Sequence, residues 1–447
     1  MGLSVLTCLG RHTITGLLTS SGQQQQDWSG AYRLFAEARL DLDRLLAPVY
    51  QQVLGCLPAG VPVVGFLDDT LCAKRGRKVA GASWRRDPLG PPFQTNLVWS
   101  QRFVQSALAL PEGAGPVRAR AIPVQLRHAP TAVRPRTGAA PEAWAQYRQE
   151  QRRRCLSVVG AEQMGALRER LDAHPAGAPR PLLLAVDGSY TNRTMYRRLP
   201  ARTTLIGRVR KDAALFAPPA PPAGRGRPRV YGEALPTPEQ IRQDETIPWQ
   251  AVEAYAAGRV QVFAVKVVAP VRWKGAGNRD LTLVVVRPLA YRPRRGARLL
   301  YREPAYLLCS EVALPIPQLL QAFLWRWETE VSFREEKSLL GMGEAQVRTT
   351  PAVETVPAFV AAMYAYLQVA AAAAEGACAG RLARPKWQTD TAGGRCTTSQ
   401  LQGLLRAELW GRALGVNIEG FASRSEVDTK PLKIDSTPAA ALFYAQR

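Results

Sequence analysis

Histidine is scarce in this chain. His12, His128 and His174 are the only three, and they form no metal or triad cluster in the sequence. Histidine-based catalysis therefore finds little support. The seven cysteines (Cys8, Cys56, Cys72, Cys155, Cys309, Cys378 and Cys396) include no pair at CxxC spacing. Structural zinc and a disulfide framework are both disfavoured, and a reducing cytosol fits. No uninterrupted apolar run reaches eighteen residues, so no membrane span is expected. The alanine-rich stretch from Val356 to Ala374 comes nearest, and its Pro357, Tyr364, Tyr366 and Gln368 mark it as a buried helix. The first residues lack a basic region followed by a long apolar one, so no signal peptide is expected.

Acidic residues are also few. Against 59 Lys and Arg stand 36 Asp and Glu, a formal charge of +23. The excess is spread over Lys74 to Lys78, Arg118 to Arg136, Arg148 to Arg154, Arg193 to Lys211, Arg225 to Arg229 and Arg292 to Arg302. A field that broad favours a long polyanion, with nucleic acid as the default partner. The 447 residues are 46% hydrophobic, enough for a large core and several domains.

Hydrophobic spacing organises the chain into five parts. Residues 1–58 read as a small helical domain, either a DNA reader or a packing collar. Residues 59–200 hold VPVVGFLDD and PLLLAVD, two compact apolar runs that read as buried strands ending in acids. Between them, 95–110 and 121–126 read as strands and 141–174 as one long helix. Residues 201–314 carry further strand-like runs at 203–210, 260–271, 281–288 and 306–312, a mostly β region with a Pro-, Gly- and Arg-rich loop at 217–229. Residues 315–375 are helical, with Pro315 and Pro317 at the start and Gly341 at the end of the first helix. Residues 376–447 are basic, polar and partly helical.

FLWRWETEVSFREEKSLLG is the most informative segment. At roughly 100° per residue, Phe323, Arg326, Glu330 and Lys337 fall within an arc of roughly 60° on one helix. Leu320, Leu324, Trp327 and Val331 form a separate apolar stripe, which puts Trp327 in the core. Glu328, Glu335 and Glu336 project away from the arc and are expected in solvent. Taken singly, an Asp at a strand end is more often a turn or helix cap than a ligand. Together, Asp68 or Asp69, Asp187 and Glu330 give three carboxylates without cysteine or histidine, a set that suits Mg²⁺ or Mn²⁺. Two such ions suit phosphodiester chemistry.

These motifs resemble the DDE transposases of bacterial insertion sequences, in the insertion-sequence-four superfamily. That family's helix signature is Tyr, two residues, Arg, three residues, Glu, six residues, Lys. Arg326, Glu330 and Lys337 match it in register, with Phe323 in place of Tyr. FLDDTLCAKRGRKVAG is similar to the first-Asp strand and its lysine–glycine turn, and LLLAVDGSYTN to the second-Asp strand. The resemblance covers roughly residues 10–370. It implies an α/β fold: an RNase H-like catalytic core with a β insertion, an N-terminal helical domain and a helical C-terminal region. It implies Asp68, Asp187 and Glu330 as catalytic metal ligands for Mg²⁺, with Mn²⁺ as substitute. The family's Asp-x-Thr pattern points to Asp68, with Thr70 two residues on, and leaves Asp69 as an assistant or a turn cap. DNA contacts are expected from Phe323, Arg326 and Lys337, and from Lys74, Arg75, Arg77 and Lys78 beside the first acid. The resemblance also implies transposon ends and target DNA as partners, a homodimer on DNA, and a bacterial cytoplasm at the nucleoid.

If the basic surface carries DNA, affinity falls steeply between about 50 and 200 mM salt. A flat response in a fluorescence-anisotropy titration contradicts the charge argument.

Overall fold

The computed structural model describes residues 1–37, 39–87, 90–91, 93–221, 228–292, 296–378 and 396–411. Four helices come first: α1 (Gly2–Thr7), α2 (Ile14–Ser20), α3 (Ser29–Ala36) and α4 (Leu42–Cys56). Then follow β1 (Val63–Ala73), β2 (Ser83–Arg86), β3 (Leu97–Pro111), β4 (Ala119–His128), α5 (Pro141–Arg153), α6 (Leu156–Ala173), β5 (Leu182–Val186), α7 (Arg193–Arg197) and β6 (Thr203–Arg208). The β-rich part contributes β7 (Leu215–Phe216), β8 (Ala234–Leu235), α8 (Pro238–Gln243), β9 (Gln250–Ala256), β10 (Arg259–Trp273), β11 (Leu281–Val286), β12 (Ala290–Tyr291), β13 (Leu300–Tyr301) and β14 (Ala305–Cys309). Helices α9 (Ile316–Trp325), α10 (Trp327–Ser338), α11 (Thr350–Cys378) and α12 (Thr398–Gly411) follow.

A large mixed sheet joins twelve of these strands in the order β2-β3-β1-β5-β6-β14-β11-β10-β7-β8, with β4 on β3 and β9 on β10. β1 runs antiparallel to β3 and parallel to β5, and β5 runs parallel to β6. LLLAV at β5 is wholly buried, as a strand covered on both faces must be. Period-two alternation divides its side chains. Leu182, Leu184 and Val186 join an apolar cluster with Met164 and Leu167 of α6. Leu183 and Ala185 join another with Leu319, Leu320 and Ala322 of α9.

Several boundaries differ from the sequence expectation. β1 does not end at its acids. It continues four residues to Ala73, because β3 is long enough to keep pairing with it through Ala73↔Ser100. The stretch 141–174 is two helices, since Cys155 takes an extended backbone conformation and starts α6 anew. β6, just past the expected start of the insertion, pairs with β5, and β14 then pairs with β6, so the sheet runs on without a break. Val5, Leu17, Phe35, Val49 and Val53 of the N-terminal helices share a cluster with Leu184 and Phe359. These helices pack directly on the core. α11 is long and apolar enough to cross a membrane by length and composition, and 78% of its apolar window is buried inside the protein. Of the C-terminal region, 379–395 and 412–447 lie outside the described residues, as do 222–227 of the Pro- and Arg-rich loop.

Glu336 departs furthest from expectation. It is 0% exposed, and neither carboxylate oxygen has a hydrogen-bond partner. Gln105, the nearest amide, donates to Ser332 Oγ at 3.2 Å instead. Burial pushes the Glu336 carboxyl up to about 8, with Gln105 and Lys337 pulling the other way. The wheel arc marked what faces the signature residues. It could not show that the far side of α10 packs inside.

The sign of the consequence follows from proton binding. The unfolded chain releases this proton near 4.5, whereas the folded chain holds it to about 8. Stability from this group therefore falls between those values and levels off above them. Glu336→Gln is expected to be more stable than wild type at pH 8, by on the order of 3 kcal/mol, and to gain little at pH 4.5. Equal urea midpoint shifts at both pH values contradict a buried neutral carboxyl.

Candidate active site

β1 reads VVGFLDDTLCA, and its alternation decides what its two acids face. Phe66 belongs to the α9-side cluster and Leu67 to the α6-side cluster. Asp68 follows Phe66 and Asp69 follows Leu67, so the neighbouring acids look to opposite faces of the sheet. Their contacts agree. Asp68 Oδ2 accepts Arg326 Nη1 at 2.7 Å. Asp69 accepts Tyr190 Oη at 3.2 Å on Oδ1, and its Oδ2 faces Arg102 Nε at 3.3 Å.

Asp187 stands one residue beyond β5. Leu67 pairs with Val186, which sets Asp187 alongside Asp68 on the neighbouring parallel strand. Its carbonyl accepts Tyr190 N–H at 3.0 Å and Thr191 Oγ1 at 3.2 Å, fixing the turn that starts there. β5 has ended, so β1 loses its partner on that side at Asp68, and a crevice opens at the carboxyl end of the parallel strands. A cleft of about 970 Å³ begins at Asp187, with Arg208, Arg210, Lys211 and Trp273 in its walls.

Glu330 comes from α10, which lies over the Asp68 face. Gln105, the β3 partner of Asp68, donates to Ser332 of that helix. The expected single helix is interrupted at Arg326. Arg326 N–H reaches Phe323 O at 3.2 Å, and Thr329 N–H reaches Arg326 O at 3.0 Å, both i→i−3 bonds of a tightened turn. From that turn Arg326 spans two carboxylates: Nη1 on Asp68, and Nη2 on Glu330 Oε1 at 3.0 Å. Its guanidinium also lies 5.9 Å from the Phe323 ring centroid. Phe323 packs its other side against the α9 cluster.

Burial pushes the Asp68 carboxyl up to about 7. Arg326 and the Asp69 N–H offset part of that, while the charges of Asp187 and Asp69 add to it. The site is thus short of positive charge even with Arg326 in place. Among the described residues, no three metal-ligating side chains are gathered closely enough to hold an ion as they stand. Asp68, Asp187 and Glu330 nevertheless fit Mg²⁺ or Mn²⁺ by chemistry: all donors are hard oxygens, and one guanidinium occupies the place between two of them.

The other expected residues divide. Lys337 lies farther along β1, where its charge acts on buried Cys72 and on Glu336. Arg75, Arg77 and Lys78 are exposed in the loop after β1, which Trp99 Nε1 ties down through Gly76 O at 3.1 Å. Lys74 is corrected. It is 7% exposed, and its ammonium donates to Gly343 O at 2.8 Å and Ala345 O at 3.2 Å. The side chain clips the loop after α10 to β1 and is not free for a phosphate. That loop turns through Gly343 at φ +93, where a Cβ would meet Cys72 at 3.1 Å. Trp327 is corrected the other way. It is 56% exposed beside Arg326 and not packed in the core. Glu335, expected in solvent, accepts Tyr364 Oη at 2.9 Å and Thr398 Oγ1 at 2.7 Å. Arg102 and Tyr190 were not legible as site residues, since only strand register brings them to Asp69.

A family model described as DDE superfamily endonuclease matches residues 3–262, more than half of the chain. The chain belongs to that family, whose members are nucleases that generally use divalent metal ions. The matched span contains Asp68 and Asp187 and ends before Glu330. No curated protein matches the chain.

Lys74→Met removes the clip and leaves two inward carbonyls without their donor. It is expected to cost about 1–3 kcal/mol in urea unfolding. An unchanged midpoint contradicts the clip.

Proposed function

We propose that this protein is a DNA transposase that cuts the ends of a mobile element and joins them to target DNA. One observation carries the reading: Asp68 and Glu330, 262 positions apart in the sequence, share one guanidinium on the sheet face where Asp187 lies in register. The strand order β4-β3-β1-β5-β6, with β1 antiparallel to β3 and parallel to β5, supports an RNase H-like core, and β7 to β14 supply its insertion.

Asp68, Asp187 and Glu330 would hold two Mg²⁺ ions, or Mn²⁺ in their place. These would supply an activated water or 3′-hydroxyl and stabilise the leaving oxygen. Asp69 takes no part in that set. Held by Arg102 and Tyr190 on the opposite face, it fixes the strand position of Asp68. Arg326 neutralises Asp68 and Glu330 in the free protein. With those carboxylates engaged, its planar fork suits a phosphate beside the cut. Phe323 keeps that fork in place through its ring face but has no hydroxyl for a phosphate. Trp327, exposed one residue away, offers a stacking surface for a base. Lys337 and the exposed Arg75, Arg77 and Lys78 extend the cationic track along β1. Two element ends brought together favour a homodimer on DNA.

The test uses labelled element ends and target duplex with Mg²⁺. Glu330→Gln and Asp68→Asn should each lower cleavage by on the order of 10³-fold or more while retaining DNA binding. Asp69→Asn should lose at most about 10- to 100-fold, as outer-shell changes do. Near-wild-type cleavage by Glu330→Gln sinks the trio. Cleavage without joined product identifies a nuclease without strand transfer, and binding without cleavage by the wild type identifies a DNA-binding protein.

A further inference from the structure

α5 is an unusual helix to keep. It buries none of its residues, yet it carries Arg148, Arg152 and Arg153. Arg148 and Arg152 stand one turn apart and so share a face. Across from them is Arg198, directly after α7. Together they line a groove of about 570 Å³ between α5, α6 and α7. The single carboxylate in that lining is Glu162, and it is already engaged by Arg127 at 2.6 Å. Arg148, Arg152 and Arg198 are exposed, with no carboxylate partner among the described residues. Arg153 is within 3.7 Å of Glu150, which Arg154 holds more closely at 2.6 Å. Two helices distant in sequence thus aim four guanidiniums into one groove with almost nothing to neutralise them. Like charges so gathered repel one another, and a polyanion filling the groove removes that cost.

We propose that this groove grips the sugar–phosphate backbone of duplex DNA outside the cut, as a contact separate from the catalytic crevice. The inference rests on the DNA-acting reading above. The occupant is a duplex because four guanidiniums line one groove, and because duplex DNA presents a charge about every 1.7 Å to match such a cluster. The groove is mechanically tied to the site. α7 begins six residues after Asp187, and its N-terminus is capped by Asn192, whose Oδ1 accepts Thr194 N–H at 3.0 Å and Met195 N–H at 3.2 Å. Tyr190, in the same turn, reaches Asp69. α6 packs against that turn so closely that a Cβ at Gly160 would lie 2.7 Å from the Tyr190 ring. Backbone held by Arg198 is therefore held in fixed relation to the strand ends that carry the acids.

The experiment measures binding of the full chain to a 60-base-pair duplex, chosen long enough (about six turns) to reach both contacts, across a salt series. The triple variant Arg148→Gln, Arg152→Gln, Arg198→Gln is compared with a control triple at exposed arginines elsewhere, Arg33→Gln, Arg44→Gln, Arg259→Gln. The groove variant should lower the slope of log affinity against log salt by about 2 to 3, one contact's worth for each arginine. The control should change it by less than about 1. All six side chains are exposed, so unfolding midpoints should match wild type. Equal slope losses in the two triples, or an unchanged slope in the groove variant while wild type binds, overturn the proposal. So does a groove variant that loses polyglutamate binding but keeps its DNA slope, which assigns the groove to an acidic peptide. A wild type that binds no duplex at all removes the DNA-acting reading itself.

Discussion

The guanidinium of Arg326 bridges a carboxylate on the central sheet and a carboxylate on the helix above it, and the geometry of the candidate site depends on that bridge. Asp68 is largely buried, and burial together with two neighbouring acids raises its carboxyl to about 7 even with Arg326 beside it. A charge in that position has to be compensated or protonated. Arg326 compensates it, and the same side chain reaches Glu330 one turn further on, at the i,i+4 spacing that puts two helical side chains on one face. Arg326 Nε, buried without a partner, shows that the guanidinium's placement is set by its two carboxylates.

The sheet supplies the other half of the constraint. Alternation along β1 gives Asp68 and Asp69 different partners within one covalent step. The register of β1 with β5 ends at Leu67↔Val186 and sets Asp187 alongside Asp68. Gln105 joins β3 to α10 across from Asp68, and Lys74 ties the loop beyond α10 back to β1. These contacts fix the middle of α10 and the loop that follows it on the sheet. Buried Glu336 shows that one side of the helix is enclosed. A carboxyl with no partner persists there as a neutral group because the surrounding packing leaves it no route to water.

Family membership and geometry reach the site from different directions. The matched region stops at residue 262 and accounts for two of the three acids. Glu330 enters from beyond it, through a helix that returns to the same face after the β-rich segment. That segment adds its strands to the central sheet through the pairing of β14 with β6.

The sequence by itself determined the chemical class. Acids without a histidine or cysteine cluster, a broad positive charge, two apolar strands followed by acids, and the spacing Arg326–Glu330–Lys337 are all local properties of the chain, and local periodicity reports them. It also placed the long apolar helix inside and β structure between the second Asp and the Glu. Tertiary structure decided everything that depends on a neighbour. Lys74 and Lys78 look equivalent in the sequence, but one is clipped to backbone carbonyls and the other is in solvent. Trp327 sits on an apolar stripe of the helical wheel, yet it stands 56% exposed. Glu336 reads as a surface acid until another element covers that side of α10. Asp68 and Asp69 differ only in which layer each one faces. A helical wheel or a strand repeat assigns a side chain its direction, and only packing assigns what stands there.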